Sequence, residues 1–221
     1  MSVAPDQETT SQEATRRQSP LVPVFAAVAL AAAAIGYLLP DRTVGADMGG
    51  GMPMTHYMGL LSINQPGNLL LFMAAPVILA ETLAITELVL LFSAKPPAWV
   101  HTLSRLAGLV AGPLMVGIVV HLLRNAVIPL TMGGGWRGIA DVIAVMSYLI
   151  AAIPLIGITL VELGVIGRDD HHARKLHTVF VGVFLVVAHV AMIFGMLDPS
   201  VMGWDPSHVM PDGGTMPGMH H

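Results

Sequence analysis

LHTVFVGVFLVVAHVAMIFGML, residues 176–197, contains no Asp, Glu, Lys or Arg, and its apolar residues fall on every side of a 3.6-residue helix. A bilayer core of roughly 30 Å takes about 20 such residues in one helix. A helix buried in a soluble core would keep a continuous polar face, and this run does not. Four other runs read the same way: Leu21–Leu39, Asn68–Phe92, Ser104–Arg124 and Ile139–Ile166. The fold expected is therefore an all-α integral membrane bundle of about five transmembrane helices. Residues 21–40 form an anchor helix and 68–197 a four-helix bundle. Composition agrees, with 54% hydrophobic and 11% charged residues, against about 25% charged in soluble domains.

The polar segments set the boundaries. Residues 1–20, with Gln, Thr, Ser and Glu, read as a disordered cytoplasmic tail. Arg16-Arg17 before the first run leaves open a signal peptide cleaved near Val44-Gly45-Ala46, but the run is long for one, which favours a retained anchor. Lys95-Pro96-Pro97 ends the second span, Gly133-Gly134-Gly135 marks a turn, and Pro154 predicts a bend in the fourth. Residues 41–67 and 198–221 are the remaining loop and tail. Arg16, Arg17, Lys95, Arg105, Arg168, Arg174 and Lys175 fall on one side of the bilayer, and Arg42, Arg124 and Arg137 on the other. The positive-inside rule then puts the N-terminus in the cytoplasm and the loop 41–67 and the C-terminus outside.

Several function classes drop out. With no cysteine, disulfides, thiolate metal sites, iron–sulfur clusters and Cys nucleophiles are excluded. No basic stripe suggests nucleic acid, and no phosphate-binding loop or dinucleotide fingerprint appears. Nothing arranges a nucleophile with a base, so the chain reads as an accessory or binding subunit rather than an enzyme. The partners expected are the lipid bilayer and other subunits of a membrane enzyme complex.

Ionisable groups inside a bilayer cost roughly 2.5–3.5 kcal/mol each on insertion scales. Glu81, His121, Asp141 and His189 come one from each of four helices. At about 1.5 Å per residue they share the outer half of the membrane. Imidazole with carboxylate suits a transition metal or a proton relay. The plainer alternative is that Arg124 pairs with Asp141 and the rest pack. His189, Met192 and Met196, at i, i+3 and i+7, share a helix face. That soft set suits Cu(I), or an axial pair for haem iron, unless it is a packing stripe. Glu87, Glu162 and His177 fall toward the inner side, where Asp169-Asp170-His171-His172 reads as a solvated turn.

Methionine (15 residues) and histidine (10) gather outside the spans. Met48-x3-Met52-x-Met54-x-His56-x-Met58 and His208-x-Met210-x5-Met216-x2-Met219-His220-His221 are both Gly/Pro-rich and rich in soft donors. Such donors favour copper over Mg, Ca or Mn.

The stretches Met54-Thr-His-Tyr-Met58, Asn64-Gln-Pro-Gly-Asn68, Pro76-Val-Ile-Leu-Ala-Glu-Thr82, Gly134-Gly-Trp-Arg-Gly138 and His189-Val-Ala-Met-Ile-Phe-Gly-Met-Leu-Asp-Pro199 resemble a family of small bacterial multi-pass membrane proteins of uncharacterised function. Some of these are labelled permeases. The resemblance covers residues 54–204, implies a bacterial inner membrane, and transfers no residue roles.

The function expected is copper handling: binding, delivery, or support of a copper-dependent membrane enzyme. The rival is a structural subunit of a membrane redox complex holding haem b or a quinone through His121 or His189. A third reading is a small-solute or proton-coupled permease using Glu81 and Glu162.

Overall fold

The computed structural model describes residues 19–44, 54–167 and 169–205, which form helices and connections with no strand among them. The helices are α1 (Val22–Leu38), α2 (His56–Ser62), α3 (Gly67–Phe92), α4 (Ala98–Gly133), α5 (Gly138–Glu162) and α6 (Asp170–Met196), followed by a 3₁₀ turn at Pro199–Met202. By length and composition, α3 to α6 can each cross a membrane, and α1 is a shorter apolar helix. The chain is a multi-pass membrane bundle. Its outward surface is apolar, with Ile78, Ile85 and Leu88 exposed on α3 and Val179, Val186 and Ile193 on α6. Exposed apolar faces of that extent belong against lipid.

Prolines shape three of the four long helices. Pro76 and Pro129 each follow a π-helical turn, Leu70–Ala74 in α3 and Leu123–Val127 in α4. A proline ring displaces the carbonyl four residues back, and the carbonyl of Asn125 is taken up by the Thr43 hydroxyl at 3.1 Å. In α5 the helix breaks at Ala151, between Gly138–Ile150 and Ala152–Glu162. Pro154 stands four residues after Ile150, so the bend expected there has this clash as its cause.

Two helices outrun their expected spans, whereas α5 stops at Glu162, short of the expected Ile166. Helix α4 begins at Ala98, after the extended Pro97, and continues to Gly134, whose φ of 67° closes it in the left-handed region. Helix α6 begins at Asp170 rather than Leu176, because Asp169 caps it by accepting from the His172 amide at 2.8 Å. That hydrogen bond also holds the Asp169 carboxyl below the usual carboxylate range. The charged stretch read as a solvated turn is thus mostly the first turns of α6. The 41–67 loop likewise contains α2, whose Tyr57, Leu60 and Leu61 are buried in the bundle.

Helix α4 is central, packing on α1, α3 and the second half of α5, while α6 packs along both halves of α5. Small residues allow this. Between Gly108 and Gly112 of α4 sits Thr159 of α5, whose hydroxyl donates to the Gly108 carbonyl at 2.5 Å and accepts from the Gly112 amide at 2.9 Å. On another face, Gly117 meets Gly36 of α1 so closely that a Cβ on Gly36 would overlap the Gly117 carbonyl. In lipid, helix association rests on such close van der Waals approach and on interhelical hydrogen bonds. Replacing Gly36 by Leu should force α1 off α4 at a cost of about 1–3 kcal/mol. Thermal unfolding in detergent should show a lower Tm for Gly36→Leu, and an unchanged Tm would contradict the crossing.

Candidate functional site: a buried carboxylate held by His56

Asp141, in the first turn of α5, is fully buried. Two backbone N–H groups converge on its carboxylate, from His56 at 2.7 Å and from Arg137 at 3.1 Å. The His56 ring adds Nδ1 at 2.5 Å. A carboxylate only accepts, so Nδ1 carries a proton in this contact.

The chain around this pair is pinned from several sides. Thr55 caps α2 and donates its hydroxyl to the Gly195 carbonyl of α6 at 2.6 Å. The Arg137 guanidinium donates to the Met54 carbonyl. Gly138, at a φ of 75°, turns the chain from Arg137 into α5, and Trp204 lies against it. His56 also meets Trp136 edge-on, with ring centroids 6.4 Å apart. Beside the pair, a cavity of about 460 Å³ is lined by Val44, Tyr57, Asn125 and Tyr148 among others. Burial pushes the Tyr57 phenol up to about 12, so it remains a neutral hydroxyl. Val44, Met54 and Asp205 border the stretches 45–53 and 206–221, and they lie at the end of the bundle where α5 begins.

The outer-half quartet expected from depth does not assemble. Asp141 meets His56, from the Met-rich stretch, and not a histidine of the long helices. His121 is buried on α4, with Nδ1 3.1 Å from the Gly36 carbonyl and 3.1 Å from Asn125 Nδ2, its ring stacked on Phe72. Glu81 is exposed on α3. His189 is exposed on α6, its Nδ1 2.6 Å from the Leu185 carbonyl. Of the stripe it begins, Met192 is half-buried and Met196 exposed, so the stripe lies outside the core. Arg124 reaches the Tyr37 carbonyl and stacks 4.2 Å over the Tyr37 ring, so it is not the partner of Asp141. Met58 is half-buried in α2. Among the described residues no group of three or more His, Asp or Glu is arranged to hold a metal ion. Met52, His208, Met210, Met216, Met219, His220 and His221 lie outside the described residues.

At the opposite end His177 of α6 is buried, with Nδ1 2.8 Å from Glu87 Oε1 of α3 and Nε2 3.4 Å from Glu162 Oε1 of α5. The sequence puts all three toward the inner side, but the faces that make them converge depend on helix rotation, which spacing within single helices does not contain. The missed contact between His56 and Asp141 had a weaker signal, since one partner lies in a stretch with no helical period.

A family model described as a family of unknown function (DUF6803) matches residues 52–211. The chain belongs to that family. The DUF6803 match takes in His56, Asp141, the four long helices and the start of the C-terminal Met/His segment, and leaves α1 outside. No curated protein and no solved structure matches the chain.

Asp141→Ala should remove the common acceptor of three N–H groups and destabilise the protein by about 3–5 kcal/mol, as when one partner of a buried pair is deleted. Asp141→Asn keeps an acceptor oxygen and should cost less. Denaturation of both variants in one detergent tests the order, and equal stability of Asp141→Ala and wild type would refute it.

Proposed function

We propose that this membrane protein binds copper at the end of the bundle where α5 begins and passes it on or supplies it to a membrane enzyme. The single observation that carries the reading is the anchoring of His56 on buried Asp141. A carboxylate that accepts a hydrogen bond from the Nδ1–H of a histidine favours Nε2 as the metal-donor atom and raises its basicity, which is how metal-binding histidines are oriented. Here the oriented histidine belongs to a stretch with Met52, Met54 and Met58, and the second soft-donor stretch, His208 to His221, follows in sequence on Trp204, which lies against Gly138. His121, His189, Glu81, Met192 and Met196 are not needed in this version of the site.

The arrangement of cations fits the same orientation. Lys95, Arg105, Arg174 and Lys175 lie at the other end of the bundle from Arg42, Arg124 and Arg137. We place the basic end in the cytoplasm of a bacterial inner membrane and the Met/His end outside.

Titration of the full chain in mild detergent with Cu(I), against a coloured Cu(I) chelator, tests the proposal. Wild type should hold copper stoichiometrically. Asp141→Asn should bind about 10–100-fold more weakly, the usual effect of losing an orienting partner. The reading is overturned if wild type binds no more copper than a variant lacking His56, the three methionines around it and the C-terminal donors.

A second reading has its own observation. His121 Nε2 is buried with no hydrogen-bond partner. The ring lines a cavity of about 420 Å³ whose other walls, including Phe25, Leu39, Phe72 and Leu114, are apolar. A haem or quinone held there would make the chain a redox subunit. Protein purified from its native membrane should then show a Soret band or yield extractable quinone, either lost in His121→Ala. Absence of both removes this reading and leaves the copper proposal untouched.

A further inference from the structure

The basic end of the bundle holds a second cluster, which uses none of the residues assigned above. Glu87, His177 and Glu162 come from α3, α6 and α5, and their side chains are only 13%, 4% and 18% exposed. Gly108 of α4 makes room for one of them, since a Cβ there would stand 2.9 Å from Glu162 Cγ. The carboxylates face opposite nitrogens of one imidazole, so they cannot close on a common ion, and no metal-holding group of three is found among the described residues. Neither contact is an aligned hydrogen bond. A purely structural pair would need one carboxylate and one imidazolium. The second carboxylate instead gives the ring a proton acceptor on each side, one facing each nitrogen. A proton can therefore enter on one side and leave on the other.

Water has a route to the cluster. Glu87, His177 and Glu162 line a cavity of about 920 Å³, larger and more polar than those beside His56 and His121. Helix α4 contributes His101, Ser104 and Arg105 to its wall. Helix α6 adds Asp170, His171, Arg174 and Lys175.

We propose that Glu87, His177 and Glu162 form a proton-exchange relay that takes a proton from the cavity at the basic end and hands it to α3. A proton arriving on Glu162 Oε1 passes to Nε2 of the ring as the Nδ1 proton passes to Glu87 Oε1. One N–H bond forms and one breaks, one O–H bond breaks and one forms, and the ring ends in its other neutral tautomer with unchanged charge. A small rotation of the ring brings each N–H into line with its carboxylate. The same residues carry the intramembrane ionisable character that marks proton pathways in bilayers.

The test is nitrogen NMR of the full chain with ¹⁵N-histidine in lipid nanodiscs, the His177 signals being assigned by their loss in His177→Asn. The relay requires both neutral tautomers of His177 to be present and to exchange with each other. Removing either carboxylate removes the proton acceptor on one side of the ring, so Glu87→Gln and Glu162→Gln should each leave His177 in a single tautomer. Both substitutions keep side-chain size, so folding should survive, and the unchanged signals of the other histidines check this. A wild-type His177 fixed in one tautomer, or an exchange that neither substitution alters, overturns the proposal.

Discussion

The close crossing of α4 and α5 governs much of what the bundle does. Lipid offers no hydrophobic reward for bringing two apolar helices together, so association depends on backbone proximity and on polar groups that satisfy each other. Thr159 does both at once, filling the space that Gly108 and Gly112 leave and bonding to the backbone of each. Glu162 follows three residues later on the same side of α5, and its Cγ therefore comes to rest over Gly108. One turn of missing side chain thus sets the helix packing and delivers a carboxylate to His177. The Gly117–Gly36 contact acts likewise on α1, bringing the Gly36 carbonyl to His121. In both places the residue that allows close approach also determines what a buried histidine meets.

The two ends of the molecule differ in chemistry as well as in charge. Around Asp141 the donors are an imidazole oriented by a carboxylate and thioethers in adjoining sequence, a soft set. Around His177 they are two hard carboxylates with guanidinium and ammonium groups on the cavity wall. Hard oxygen donors in a polar recess favour protons, whereas nitrogen and sulfur at a chain junction favour a soft metal. The family to which the chain belongs has no known activity to decide between them, so these donor sets carry the functional argument.

Much of the fold was legible in the sequence. The apolar runs named every long helix, Pro154 named the break in α5, and Lys95-Pro96-Pro97 named the end of α3. Less legible were the ends set by capping, where Asp169 draws the charged 169–175 stretch into α6, and the short helix α2, seven residues that hydropathy alone reads as loop. The candidate sites were harder still. Depth placed Glu81, His121, Asp141 and His189 at one level, but depth is one coordinate, and rotation about each helix axis decides what meets what. Glu81 and His189 turn outward, while His121 turns toward α1. For Glu87, Glu162 and His177 the same one-coordinate argument held because the faces do agree.

Helix α5 carries Asp141 near its start and Glu162 at its end, with the break at Ala151 between them. Its first half packs chiefly on α6 and its second on α4 and α6. Both halves rest on the unbroken helix α6, so the chemically distinct ends of the molecule share one packing surface although the helix that joins them is bent.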